Sequence, residues 1–339
     1  MGVDLADLTP GTPRRLDAFK GQAVAIDAYN TLYQFLSIIR QPDGTPLMDS
    51  EGRVTSHLSG LFYRLANLAE AGIKPVFVFD GKPNPLKFAT LDERRERKAK
   101  AEQERQEAVA AGDTARAFSK AQQTSSLSRD MAQEAKDLLD ALGMPWVQAP
   151  EEGEAQAAQM ALWGDVWAAA SQDYDSLLFG APRLLRNLSV TGKRKLPGKN
   201  VSVEVEPHLL ELEPCLSELE ITREQLVAIG ILVGTDYNPG IKGVGPKKGL
   251  KLVKQHGTLE KVLQHLEAEI PNAAEIQRLF LEPSVTRDYT LKWGAPDADA
   301  VTQILVAKHG FSKDRVEATL PRYQALIEAR KQRSLDAFF

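Results

Sequence analysis

Residues 72–81 read Gly72-Ile-Lys-Pro-Val-Phe-Val-Phe-Asp-Gly81. Four consecutive apolar residues, Val76 to Phe79, are β-branched or aromatic, and they lie between Pro75 and the turn pair Asp80-Gly81. A run this short, apolar at every position, suits a strand buried on both faces, as in a parallel sheet. Three further runs fit the pattern: 24–26, 166–170 and the less regular 184–186. Helical periodicity over 56–71 precedes the second run, and over 154–162 the third. Strands alternating with helices predict an α/β fold with a mostly parallel central sheet flanked by helices. From Ile221 onward the pattern is nearly all helical, with Gly and Pro punctuation.

The composition narrows the function. At 339 residues, 43% hydrophobic and 26% charged, the chain can bury a sizeable core, which excludes wholesale disorder. The net charge of −4 excludes a globally basic surface but permits local basic patches. A single cysteine, Cys215, excludes an internal disulfide framework and any multi-Cys zinc site. Of the five histidines, no two stand at metal-ligand spacing, so a metal here would take oxygen ligands. The first residues lack a basic start and an apolar run, and no stretch is long and apolar enough for a membrane span. A soluble, cytoplasmic protein without membrane contact is expected, and nothing requires more than a monomer.

The carboxylates carry the chemistry. Asp27 ends the first apolar run, Asp80 ends the second, and Asp173 and Asp175 follow the third. Ligands of open α/β sheets bind beyond the carboxyl ends of the strands. Glu152 and Glu154 stand at a helix start after Pro150, where acids are electrostatically favoured without any further role. Asp236 lies in Gly-Thr-Asp-Tyr before a Gly-rich segment. Singly, each of these acids reads as a turn residue or helix cap. Together, seven converging carboxylates would raise one another's pKa values unless cations were bound. Hard oxygen ligands select Mg²⁺ or Mn²⁺. Acid-rich sites holding two such ions about 3.5–4 Å apart commonly serve phosphodiester hydrolysis. The residues alone thus point to metal-dependent phosphoryl transfer, with a small-molecule phosphatase still open.

Residues 240–256 hold five Lys and no acid, with Lys242, Gly243, Gly245, Lys247 and Lys248 clustered ahead of a helix start at Pro246. Glycines that expose backbone N–H groups beside lysines suit a DNA phosphate backbone, against the plainer reading of a solvated helix face. A second patch, Lys193-Arg194-Lys195 with Lys199, lies in a Gly/Pro-containing loop. The charged stretch 92–110 reads as a solvated helix or as a mobile element closing over substrate. The tail ends in two Phe after a polar run, which suits docking on a partner or burial against the body.

These motifs, in this order, resemble the flap endonuclease family of structure-specific 5′ nucleases over nearly the whole chain. The resemblance rests on Met1-Gly2-Val3, Val24-Ala-Ile-Asp-Ala, Leu32-Tyr-Gln-Phe-Leu, Thr55-Ser-His-Leu, the 72–83 segment and Leu86-Lys87. It continues through Ala149-Pro-Glu-Glu-Gly-Glu-Ala, Asp173-Tyr-Asp-Ser-Leu, Gly234-Thr-Asp-Tyr, Gly240-Ile-Lys-Gly-Val-Gly-Pro-Lys and Gln332-x-x-Leu335-x-x-Phe338-Phe339. It implies two Mg²⁺ ions, with Mn²⁺ as a substitute. Asp27, Asp80, Glu152 and Glu154 would lie around the first ion, and Asp173, Asp175 and Asp236 around the second. Lys87 and Arg94 would face the scissile phosphate, Tyr33 would stack on a base at the junction, and Gly2 would bring the chain start close to the site. Arg40 and Lys193 join the expected DNA-contacting set with the 242–248 cluster. The resemblance also implies one nuclease domain over 1–325. A helical arch would occupy about 83–130, and a helix–two-turn–helix element about 225–256. A flexible tail, 326–339, would dock on the DNA sliding clamp through Gln332, Leu335, Phe338 and Phe339. The chain looks like an archaeal member. It departs from the family at Asn84, where a second Pro is common, and at Gln172, where Glu is common. A sibling exonuclease or junction resolvase, or a non-catalytic clamp-binding scaffold, are the alternatives.

Overall fold

A computed structural model describes residues 2–41, 44–113, 116, 119–121, 124, 126–190, 192–195 and 202–324, except the side chains of 88–95, 97, 190, 193–195 and 202–204. A seven-stranded sheet runs through the centre in the order β1-β9-β6-β5-β2-β3-β4. Here β1 is Thr12–Pro13, β2 Ala23–Asp27, β3 Lys74–Phe79, β4 Trp146–Gln148, β5 Ala168–Ala170, β6 Arg183–Arg186 and β9 His208–Glu211. Strands β6, β5, β2, β3 and β4 are mutually parallel. At one edge β9 pairs antiparallel with β6, and β1 with β9. The mostly parallel α/β expectation holds.

Alternate residues of the central strands enter two different cores, as strand geometry requires. Val76 and Val78 of β3 pack with the helices Gly153–Leu162 and Arg223–Val233. Phe77 and Phe79 pack with the helices Ser56–Glu70 and Arg129–Ala141 on the opposite face. Tyr323, fully buried near the described C-terminal end, stacks on Phe62 and donates its hydroxyl to the Phe62 carbonyl. The result is three layers, with an apolar sheet between two helical ones. Among the described residues, no helix is long and apolar enough to cross a membrane.

The structure departs from sequence expectation in three places. The run expected over 166–170 is a strand only over Ala168–Ala170, because Val166 N–H closes the preceding helix onto the Met160 carbonyl. The basic segment 192–195 is no open loop: Gly192–Lys195 (β7) pairs antiparallel with Ser202–Val205 (β8) as a separate ribbon, while Lys199 lies outside the described residues. The expected helical continuity after Ile221 breaks between the helices Ala273–Leu281 and Ala298–Thr302. There an extended strap crosses the domain, held where Trp293 donates to the Pro75 carbonyl at 2.8 Å and Tyr289 to Asp165 at 2.6 Å.

Candidate active site

The sheet order places the site. Chain leaving β2 turns towards β3, while β5 lies on the other side of β2, so the two carboxyl ends diverge at a topological switch point. Asp27 is the last residue of β2 and caps the helix Ala28–Ile38, accepting from the Asn30 N–H at 3.0 Å. Asp173 follows β5, and its side chain accepts from Asn30 Nδ2 at 3.0 Å. Its own N–H donates to Ser171 Oγ at 3.1 Å, and that hydroxyl donates to Glu154. Asp80 follows β3 and accepts from the Gly153 N–H at 2.7 Å. Glu152 is the N-cap residue of the helix Gly153–Leu162, and Glu154 lies in its first turn.

Asp175 opens the short helix Asp175–Leu178 and accepts from the Val3 N–H at 2.7 Å. The chain start is thereby pulled onto the site. A Cβ at Gly2 would sit 2.5 Å from Asp175 Oδ1, so a larger residue there would displace that carboxylate. Asp236 is held by the tight turn Thr235–Asn238, in which Tyr237 N–H donates to Thr235 Oγ and Asn238 Nδ2 to the Ile231 carbonyl. Gly240 takes φ of 74° in the same loop, and a Cβ there would meet the Val233 carbonyl at 2.3 Å.

Lys87 faces this set from the other side. The segment after β3 is hooked to the turn before Glu152: Gly81 N–H donates to the Glu151 carbonyl at 2.6 Å, and Asn84 Nδ2 to the Glu151 side chain at 2.9 Å. The unusual Asn84 therefore does what a proline there could not. Lys87 then ion-pairs with Glu152, lies 3.7 Å from Asp236 and sits 5.3 Å above the Tyr237 ring. Burial opposes its charge, but Glu152 and Asp236 hold its ammonium well above the ordinary lysine range.

The electrostatics are those of crowded acids. Burial, then repulsion from Asp80, raises Asp27 well above the usual carboxylate range. Burial and Glu152 push Asp80 up to about 6, and burial and Asp236 push Asp175 up to about 7. Glu154 is also raised well above its usual value, by burial first and then by Asp173 and Asp27. These couplings draw the seven carboxylates into one electrostatic site. One lysine cannot balance that many acids, so protons or bound cations must. Among the described residues, no group of three or more Asp, Glu, His or Cys side chains is closed tightly enough to hold an ion as it stands. The donor chemistry is nonetheless that of a hard divalent cation: carboxylate oxygens without His or Cys.

Against curated proteins, the chain is 55% identical over 350 residues, covering all of both chains, to Flap endonuclease 1 of Aeropyrum pernix. The chain belongs to the flap endonuclease family. Residues 8–101 match the XPG N-terminal domain and residues 143–236 the XPG I-region. All seven acids fall inside those two segments. Among solved structures, flap endonuclease-1 from Methanococcus jannaschii matches with a TM-score of 0.78 at 41% identity, covering 96% of this chain and 99% of that one. The catalytic core of Rad2, solved in complex with DNA substrate, shares the fold at a TM-score of 0.70 and 24% identity, covering 95% and 100% of the two chains.

The other expected site residues are dispersed around these acids. Tyr33, 41% exposed, lies two turns along the helix that Asp27 caps. Arg40 lies just past that helix, donates to the Gly44 carbonyl at 2.8 Å, and has its pKa lowered by burial and by Arg105 of the helix Phe88–Ala110. Lys242, Gly243 and Gly245 are exposed in the turn between the helices Arg223–Val233 and Pro246–His256, and Lys247 and Lys248 are exposed in the first turn of the second. Lys247 pairs with Asp7 at 3.3 Å, and Lys248 donates to the Gly243 carbonyl at 3.3 Å. The side chains of Arg94 and Lys193, and all of Gln332, Leu335, Phe338 and Phe339, lie outside the described residues. Sequence reading missed the neutral partners of the acids, namely Asn30, Ser171 and the N–H groups of Val3 and Gly153. Only Asn30 left a trace, by standing three residues after Asp27 on a helix face.

Proposed function

We propose that this chain is a structure-specific 5′ flap endonuclease of replication and repair, acting with two Mg²⁺ ions. The observation that carries the reading is the set of seven mutually coupled carboxylates at the sheet's switch point, with Lys87 against them. Asp27, Asp80, Glu152 and Glu154 would hold one cation, and Asp173, Asp175 and Asp236 the other. Bound Mg²⁺ neutralises such a cluster and stabilises charge on phosphoryl oxygens. Lys87 adds a fixed positive charge beside the scissile phosphate, and Arg94, seven residues further along the chain, is assigned the same task.

Tyr33 offers an exposed aromatic face, which stacks on any base without reading its identity. The glycine turn and lysines at 242–248 bind the duplex through its phosphates, joined by Arg40 and Lys193, so that DNA shape rather than sequence decides the cut. The helix Phe88–Ala110 serves as one side of an arch over the 5′ strand. The tail docks on a sliding clamp through Gln332, Leu335, Phe338 and Phe339. The enzyme works as a cytoplasmic monomer.

The test is cleavage of a 5′-labelled double-flap DNA, with Mg²⁺ and with EDTA, by wild type and Asp175→Ala. A single Mg²⁺-dependent product near the junction, absent in the variant, is the expected result. A ladder of short products would make the chain an exonuclease, and binding without cleavage would make it a scaffold.

A further inference from the structure

The two sets of acids meet through a side chain that carries no charge. Asp27 and Asp173 leave neighbouring parallel strands, whose pairing places Ile26 opposite Ala170. Asn30 spans the gap: its backbone N–H donates to Asp27 Oδ1 at 3.0 Å, and its side-chain amide to Asp173 Oδ2 at 3.0 Å. The same helix face carries Tyr33 one turn further on, 41% exposed. A single amide therefore fixes the first turn of the helix Ala28–Ile38 against the loop after β5.

We propose that Asn30 is a positioning residue for the metal pair, setting Asp173 relative to Asp27 so that both acid sets can be filled together. The proposal rests on the flap endonuclease reading. A neutral donor suits this place for a physical reason. It gives the Asp173 carboxylate a fixed donor at 3.0 Å, which sets the direction in which its oxygens point. It adds no cation to compete with the metal for the same oxygens. The bond that caps the helix comes from the backbone of Asn30 and survives truncation of the side chain, so the amide is not needed to start the helix. Once the amide is removed, the loop retains Asp173 N–H on Ser171 Oγ, which anchors the backbone and leaves the carboxylate free to rotate.

The experiment compares wild type, Asn30→Ala and Asn30→Ser after the protein has been stripped with EDTA and dialysed. Mg²⁺ binding is read by calorimetry, and kcat and KM on double-flap DNA are read across a Mg²⁺ series. Partners that orient metal ligands typically contribute about 10–100-fold to metal affinity. Asn30→Ala should lose affinity in that range, keep its KM for DNA within about twofold, and recover kcat at high Mg²⁺. Asn30→Ser retains a shorter donor and should fall between the other two. It also keeps the test valid if the alanine variant does not fold. Wild-type cation affinity in Asn30→Ala overturns the proposal, and so does a raised KM for DNA with unchanged cation affinity. A wild type without Mg²⁺-dependent cleavage would instead sink the function reading of the preceding subsection.

Discussion

Two buried networks of titratable groups lie in this domain, and they are built on opposite principles. At the carboxyl ends of β2, β3 and β5, acids face acids, and Asp80 and Asp175 are pushed up to about 6 and about 7. Away from that edge, ring nitrogens, carboxylates and a guanidinium alternate. His57 lies 3.3 Å from Glu134, Glu134 is 3.2 Å from His309, His309 is 3.1 Å from Asp49, and Asp49 is 2.7 Å from Arg53. There Glu134 is held down at about 2 by His57 first, despite its partial burial, with Lys308 and His309 assisting. For Asp49 burial works in the other direction, but bonds from Arg53 and His309 keep it well below the usual range. The second network pins the 49–53 turn and the segment around His309 to two helices. Among the described residues Lys87 is the cation that compensates the first network, and the network costs stability that protons or a bound cation return. Sites destabilised in this way are the ones expected to act.

The largest effect that sharpens this contrast is at Asp175. Asp175→Asn keeps an oxygen for the Val3 N–H and removes one negative charge. Flap cleavage should fall by at least about 10²-fold, the scale set by losing one electrostatic contributor to a transition state. The melting temperature in EDTA should rise all the same, because a buried repulsion is gone. A variant that loses activity and also melts lower would show that the cluster is not frustrated.

The same opposition has a pH signature. Asp80 and Asp175 have folded pKa values above their ordinary one, so the folded state binds more protons than the unfolded chain between about pH 4 and 7. Their contribution to stability is present below that window and is lost as pH rises through it. Glu134 has the reverse sign: its contribution is present above the ordinary carboxylate value and is lost as pH falls towards about 2. Melting curves in EDTA should therefore show stability falling from pH 5 to 7.5, and Mg²⁺ should flatten that fall. A slope that ignores both Mg²⁺ and Asp175→Asn breaks the assignment.

The legibility of the two networks in the sequence differs for a related reason. The acids at strand ends were readable because a charge breaking an apolar run is conspicuous, as at Phe79-Asp80. The parallel strands were readable from their unbroken apolar character, whereas β1, β9 and the three-residue β4 are too short and too mixed to announce themselves. Ser171 and the Val3 N–H were silent because neutral donors have no compositional signature. The alternating network was wholly hidden, since Asp49 and His309 meet across 260 residues of sequence.

Breaking that second network is the next test in size. Glu134→Gln keeps the shape but removes the charge that His57, His309 and Lys308 share. Chemical denaturation should show a loss of about 1–3 kcal/mol, the range for a hydrogen-bonded charge whose partners are left behind. Cleavage at saturating Mg²⁺ should be unchanged at temperatures well below melting. An unaltered denaturation midpoint would mean that the alternation is decorative.

The smallest expected effect is at Lys242, and it isolates a third way of using charge. This lysine is exposed, lies beyond either network and sits in the glycine turn before Pro246. A phosphate contact of that kind contributes affinity without sequence preference, through counterion release. Lys242→Ala should weaken duplex binding uniformly across sequences and reduce the slope of log affinity against log salt by about one. The melting temperature and the Mg²⁺ dependence should both stay at wild-type values, because no buried group loses a partner. If the salt slope is unchanged, Lys242 makes no phosphate contact, and the duplex is gripped by Lys247 and Lys248 or by the backbone N–H groups of the turn. If the loss depends on sequence, the turn reads bases, and recognition by shape alone fails for this part of the surface.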